Sequence, residues 1–391
     1  MVDLQLLRMR MHSLVVFRDL LNDPVIQRFD ELLSAGNDSA FVNACAEFES
    51  RLFSKGDNWS EYLAHAVLHS ENIAVRLKAV SKSSPVIDTA LEQELSLLDQ
   101  LAAVTLEDFN FPAVKFFTPW KTSPVALAEA YQARLEEVSR KGYGMYADYH
   151  VFTLRGDELV PVKYPDPQRL SDLPGYEAER QKVVANVEAL LKGQPAVNML
   201  LYGDAGTGKS STIKALVNEY RDAGLRLVEV RRNQLYFIPN LLEQLASLPL
   251  KFILFIDDLS FSSNDDNFAS LKAILEGSVS RQASNTIIAA TSNRRHLVKE
   301  SVSDRFQDDL HESDTRQELL SLSARFGLIV TFQKPDKNRY LYIVQSLAEE
   351  YGISEDREVL AEKAEAFALR AGGRTPRVAR QFIEQIKSGV L

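Results

Sequence analysis

Met199-Leu200-Leu201-Tyr202-Gly203-Asp204-Ala205-Gly206-Thr207-Gly208-Lys209-Ser210 decides the fold. Four strand-like apolar residues run into a complete G-x-x-x-x-G-K-[ST] loop, and a helical pattern over 211–221 runs out of it. The glycines let the backbone turn so that successive N–H groups converge on phosphate oxygens. The start of the following helix adds a favourable partial charge. In such a loop the lysine, Lys209, reaches the β- and γ-phosphates and the hydroxyl of Ser210 ligates Mg²⁺. Gly203, Asp204, Ala205, Gly206, Thr207, Gly208, Lys209, Ser210 and Ser211 are therefore the expected nucleotide-binding residues.

A phosphate loop needs an acid at the end of a nearby buried strand. Phe252-Ile253-Leu254-Phe255-Ile256-Asp257-Asp258 supplies one about 50 residues on. Five consecutive apolar residues suit a central parallel strand. Asp257 is placed to hold the Mg²⁺ shell, and Asp258 to orient the attacking water. Further strand-like runs at 225–230, 286–291 and 328–332 alternate with helical patterns, which implies a parallel sheet covered on both faces. From Asp336 the strands stop. Helical patterns follow at 337–351, 355–370 and 375–387, with Gly372-Gly373 breaking the last two.

Upstream of the loop the pattern differs. Residues 1–118 read as helices, with apolar residues at three- and four-residue spacing over 41–53 and 91–104. Ser60 and Ser84, the latter followed by Pro85, are candidate helix caps. Residues 119–164 hold a long helix over 125–141 and a hairpin around Arg155-Gly156-Asp157-Glu158. The Arg-Gly-Asp triplet reads there as turn chemistry. A Pro-containing stretch over 160–174 reads as a linker. The chain thus divides into an N-terminal helical domain (1–118), a connecting helix and hairpin (119–164), an α/β nucleotide-binding core (165–333) and a C-terminal helical lid (334–391).

Composition bounds the rest. The 391 residues suit two or three domains, and 45% apolar with 25% charged residues is an ordinary globular balance. No run approaches the ~18 apolar residues of a membrane helix. The start of the chain lacks the regions of a secretory signal, so a cytoplasmic protein without membrane contact is expected. The net charge is −9, of which −7 lies in residues 1–120 (10 basic, 17 acidic side chains). That gives nucleic-acid binding no support, although Arg374, Arg377 and Arg380 fall at helical spacing. His65 and His69, four apart, lack a third metal ligand and read as exposed or packing side chains. Cys45, the one cysteine, reads as a buried small residue. Asp265-Asp266 and Asp308-Asp309 read as solvated loop charge.

The order of motifs resembles the AAA+ ATPases over roughly residues 165–391. It is most similar to a bacterial AAA+ family of unknown function related to helicase loaders and replication initiators. The resemblance is carried by Leu170-Ser171-Asp172-Leu173-Pro174-Gly175-Tyr176-Glu177, Asn198-Met199-Leu200-Leu201-Tyr202-Gly203-Asp204 with the phosphate loop, Ala290-Thr291-Ser292-Asn293-Arg294-Arg295-His296-Leu297, Ser323-Ala324-Arg325-Phe326-Gly327-Leu328 and Gly373-Arg374-Thr375-Pro376-Arg377-Val378-Ala379. It implies an AAA+ P-loop core with a five-stranded parallel sheet, a helical lid and a separate N-terminal domain. It implies that Asn293 senses the γ-phosphate, where the plain alternative is an Asn bonding its own turn. It implies an arginine finger acting from a neighbouring subunit. Arg325 is preferred for that role over Arg305, in Ser303-Asp304-Arg305-Phe306. Arg377 would reach from the lid to the nucleotide. Tyr176 either stacks on the adenine or is an ordinary packed tyrosine. The Asp257-Asp258 pair departs from the usual Asp-Glu, which leaves slow turnover open.

Together these point to an ATPase that hydrolyses MgATP and couples this to oligomer assembly or partner remodelling. The N-terminal domain would select a protein partner. A slow or non-hydrolysing ATP-gated scaffold and a loader-like ATPase acting on nucleic acid are the alternatives.

Overall fold

The computed structural model describes residues 3–259, 271–272, 274–275, 284–293 and 325–391. It divides into two compact units, Met1–Asp148 and Tyr149–Leu391.

The first unit is helical. Its elements are α1 (Leu4–His12), α2 (Pro24–Leu33), α3 (Asp38–Phe53), α4 (Trp59–His69), α5 (Ile73–Ala79), α6 (Pro85–Ala102), α7 (Leu127–Lys141) and α8 (Met145–Asp148). Pro85 starts α6 with Ser84 at the capping position, but the Ser84 side chain makes no capping bond. Ser60 does not cap α4. Asn58 does, accepting from the amide of Glu61, while the fully buried Ser60 hydroxyl donates to Ala102 O at 2.7 Å. An aromatic core joins Phe29 to Trp59 (centroids 4.3 Å apart) and Phe48 to Trp59 and Trp120. The two indole N–H groups donate to Leu101 O, in the last turn of α6, and to Val104 O just beyond it, so the end of that helix is anchored to the aromatic core. Glu94 on α6 is buried, and its carboxylate accepts from the amides of Val15, Val16 and Phe17 at 2.7, 3.1 and 2.9 Å. That one side chain pins the turn after α1. Cys45 is fully buried, as its apolar setting predicts, and burial pushes its thiol up to about 12.

The second unit is a sheet with helices on it. Its strands are β1 (Val151–Arg155), β2 (Glu158–Pro161), β3 (Met199–Gly203), β4 (Leu225–Glu229), β5 (Lys251–Ile256), β6 (Thr286–Ser292) and β7 (Leu328–Phe332). The order is β2-β1-β4-β5-β6-β3-β7. The expected five parallel strands are present, but the sheet has seven. The hairpin around Gly156 forms, and its first strand then lies parallel to β4, Val151 beside Leu227. Only β2 is antiparallel. A two-stranded hairpin is marginal alone, and burying Val151 and Phe152 against the larger sheet stabilises it. The chain therefore changes unit just before the hairpin: α7 belongs with the helices, β1 and β2 with the sheet.

Helices α9 (Glu177–Leu191), α10 (Lys209–Tyr220) and α11 (Ile238–Ala246) accompany the strands, and α12 (Lys337–Glu350), α13 (Arg357–Arg370) and α14 (Pro376–Lys387) form a C-terminal helical bundle in the segment expected as the lid. Asp336, Asp356 and Thr375 cap the three lid helices. One apolar cluster runs from Met199, Ile253 and Phe332 in the sheet to Tyr340, Val344, Ala364 and Ile383 in the lid. Among the described residues, no helix is long and apolar enough to cross a membrane.

Replacing Glu94 by Ala leaves three backbone donors without their acceptor and is expected to cost about 3 kcal/mol. Cys45 reports on it: the native thiol should resist a thiol reagent, and Glu94→Ala should speed its labelling and lower the unfolding midpoint. Unchanged labelling and midpoint would refute the pin.

Candidate functional site

The site lies where β3, β5 and β6 end. β3 is flanked by β6 and β7, with Tyr202 beside Ser292 and Gly203 beside Phe332. Gly203 has φ +142°, and a Cβ there would sit 2.0 Å from Phe332 O. Only glycine lets β3 leave the sheet so close to β7. The loop is then tied down: Asp204 N donates to Phe332 O at 3.2 Å, and Asp204 Oδ2 accepts from Lys334 N at 2.9 Å. Gly206 and Gly208 also have positive φ, and α10 starts at Lys209.

Lys209 is 6% exposed. Its ammonium donates to Gly203 O (2.9 Å), Asp204 O (2.7 Å) and Asn293 Oδ1 (3.0 Å). Burial lowers its pKa, opposed by Asp204, Asp258 and Asp257. Ser210 Oγ donates to Asp257 Oδ1 at 2.6 Å. Thr291 Oγ1 donates to the same oxygen at 2.5 Å and accepts from Asp258 N at 2.9 Å. Asp258 is left-handed, φ +50°, and its carboxylate accepts from Asn293 Nδ2 at 2.8 Å. Asn293 thus spans Lys209 and Asp258.

These residues floor a cavity of about 540 Å³. The lid supplies Arg377, whose amide donates to Gly206 O at 3.3 Å. The wall opposite is the segment 166–174, expected as a linker, with Asp166, Gln168, Asp172, Leu173 and Pro174 facing the cavity. Leu173 and Pro174 are joined by Ile343 and Leu347 of α12 as apolar lining. Arg180, from α9, adds a buried guanidinium whose pKa burial lowers.

The structure brings together the loop residues from Ala205 to Ser211, Asp257, Asp258, Asn293, Tyr176 and Arg377. Tyr176 borders the cavity but is 1% exposed. Its ring stacks with Phe332 (5.4 Å), the Arg339 guanidinium lies 4.7 Å above it, and its hydroxyl donates to Gln333 O. Those contacts are packing. Arg325 is not in the lining. It precedes β7 at the end where Met199 pairs with Leu328, one strand length, about 16 Å, from the loop. Arg305 and both Asp pairs, 265–266 and 308–309, lie outside the described residues. Arg374 pairs with Glu365 and Arg380 donates to Asp172 O at 3.0 Å, so these two arginines are engaged within the fold, while Arg377 lines the cavity. The rings of His65 and His69 stack at 3.9 Å, and His69 contacts His65 O and Asp148.

Sequence reasoning named Thr291 and Arg380 without giving either a place in the site. Thr291 stands two residues before Asn293 on a strand, hence on its face. Arg380 stands one helical turn after Arg377. Both signals were available. Gln168 carries none.

A family described as a protein of unknown function, DUF815, matches residues 147–390. The chain belongs to this family. DUF815 therefore covers the sheet and the lid and leaves the helical unit outside. The chain is also 37% identical over 70 residues to the replication factor C large subunit of Staphylothermus marinus, covering 18% of this chain and 16% of that one. It is 26% identical over 219 residues to the same subunit of Thermofilum pendens, covering 53% and 46%. The chain thus spans less than half the length of these curated relatives. The matches relate it to the AAA+ ATPase superfamily. The Thermotoga maritima RuvB Holliday junction branch migration motor aligns over 57% of this chain and 65% of its own, at 18% identity and TM-score 0.36. That likeness is too loose to transfer residue roles.

Gly203→Ala is expected to destabilise the second unit by about 2–5 kcal/mol, from strain and from the clash with β7. Gly208→Ala, with nothing within 4 Å of the added methyl, should cost only the strain of its φ, about 1–2 kcal/mol. Denaturant unfolding of both variants checks this; equal losses would show that the loop does not bear on β7.

Proposed function

We propose that the second unit binds ATP with Mg²⁺ in this cavity and hydrolyses it to ADP and phosphate. The observation that carries the reading is the convergence of Ser210, Thr291 and the end of β5 on Asp257, beside the buried ammonium of Lys209. Loop amides and Lys209 receive the β- and γ-phosphates, whose charge reverses the burial penalty on the ammonium. The Ser210 hydroxyl and Asp257 carboxylate are hard oxygen donors less than 3 Å apart, a set that fits Mg²⁺. When bound, the ion supplies charge neutralisation at the phosphate oxygens.

Asp258 orients water for in-line attack. The water oxygen bonds to the γ-phosphorus as the bond to the β–γ bridging oxygen breaks, with no covalent enzyme intermediate. Asn293 exchanges its contact with Lys209 for one with the γ-phosphate. Arg377 approaches the phosphates from the lid. The base lies between Leu173 and Pro174 on one side and Ile343 and Leu347 on the other, with Tyr176 as support beneath rather than a stacking partner. Arg325, too far to serve its own cavity, acts in that of a neighbouring copy. A guanidinium stays charged and can neutralise the transferring phosphoryl group there. The helical unit selects a protein partner, which oligomer assembly or remodelling then acts upon.

A slow or non-hydrolysing nucleotide-gated scaffold is the second reading. Asp258 favours it, being short and already engaged by Asn293. The loader-like alternative gains nothing from Arg374 and Arg380, which are engaged within the fold.

MgATP turnover measured against protein concentration decides. Specific activity should rise with concentration. Lys209→Ala and Arg325→Ala should each lose ~10³-fold. Mixing them should restore up to roughly a quarter of the sites, those pairing an intact Lys209 with a neighbour's intact Arg325. Nucleotide binding without turnover at any concentration would leave the scaffold. Arg325→Ala with full activity would remove the shared site.

A further inference from the structure

The segment 166–174 is fastened at two places. On one side, Asn218 of α10, the helix that leaves the phosphate loop, donates through Nδ2 to Asp166 O and Gln168 O at 2.7 Å each. Its amide oxygen is steadied by His150 at 3.1 Å. On the other side the lid takes hold. Arg380 Nη2 donates to Asp172 O at 3.0 Å. The Gln168 amide, turned with its oxygen toward the same guanidinium, accepts from Nη2 at 2.6 Å and Nη1 at 3.1 Å. Gly175 then lets the segment run against α12. Its φ is +77°, and an added Cβ would meet the Ile343 side chain at 3.0 Å. Gln168, Asp172 and Arg380 all border the cavity.

We propose that Arg380 is a positioning residue that clasps the lid to this strap and thereby sets how fast nucleotide leaves. The inference rests on the nucleotide reading of the cavity and adds a division of labour within α14. Arg377 sits against the loop, at the phosphate end. Arg380, one turn later, holds the opposite wall through Asp172 O and the Gln168 amide. A planar guanidinium that engages two acceptors at once is well suited to the task, because a forked contact fixes direction as well as distance. The strap cannot follow an opening lid, since Asn218 ties it to the helix of the phosphate loop. Opening the cavity from this side therefore requires the Arg380 contacts to break.

The test is the dissociation of a fluorescent ADP from full-length protein, followed by stopped flow, beside steady-state ATP turnover. Arg380→Ala should speed dissociation and raise KM about tenfold, with kcat changed less than about twofold. Arg380→Lys keeps the charge but not the fork and should recover part of the effect. Gln168→Ala, a change at a half-buried position, should speed dissociation by itself. Combined with Arg380→Ala it should add little, because both remove one contact. Unchanged dissociation in Arg380→Ala and Gln168→Ala, with wild type binding normally, overturns the clasp and leaves the nucleotide reading standing. A fall in kcat at constant KM also overturns it, by assigning Arg380 to the chemical step. Wild type that binds no nucleotide overturns both readings together.

Discussion

One carboxylate oxygen organises the second unit's site. Asp257 Oδ1 accepts from the Ser210 hydroxyl, the Thr291 hydroxyl and the amide of Asp258. Those donors come from α10, β6 and the turn after β5. A single acceptor thus fixes three elements at the point where their chain directions diverge. Charge-assisted hydrogen bonds are the stronger kind, and this cluster lies at the ends of the buried strands β5 and β6. The left-handed backbone of Asp258 depends on it. That conformation costs of order 1 kcal/mol or more for a residue with a side chain, and the two bonds to its amide offset the strain. Asn293 then extends the cluster to Lys209, so that loop, acid and strand tip form one connected unit.

Much of this was legible beforehand because it is local. A phosphate loop is contiguous, its glycines meet their constraints within eight residues, and a short unbroken apolar run ending in acids suits a buried strand. The lid helices were equally clear: Asp336, Asp356 and Thr375 cap apolar periodicities that need no distant partner to be recognised. The pairings that failed to show are all long-range. Nothing in 151–155 says that the strand will join β4, seventy residues later. Nothing in 166–174 distinguishes a free linker from a wall, since its fastening depends on Asn218 and Arg380, 50 and 208 residues away. Ser60 illustrates a subtler limit. A serine near a helix start looks like a cap, but the aromatic core claims its hydroxyl for Ala102 O, and Asn58 serves instead.

The lid arginines show how spacing misleads when partners are invisible. In the sequence, Arg374, Arg377 and Arg380 form a basic face. In the fold, Arg374 lies before the cap Thr375 and is paired with Glu365, and Arg380 is turned onto the strap. The face dissolves, with two of its guanidiniums engaged within the fold and Arg377 lining the cavity, and the net charge of −9 meets no opposing basic stripe from these residues.

The outermost strand on the hairpin side has a bearing on how copies of the chain can meet. β2 is four residues long, begins with a glutamate and ends with Pro161, which has no N–H to offer. A short, charged, proline-ended edge is a poor template for another strand. The sheet is therefore closed to extension on that side. Copies approaching there have to recognise one another through side chains, a contact that can be made and released without unravelling either sheet.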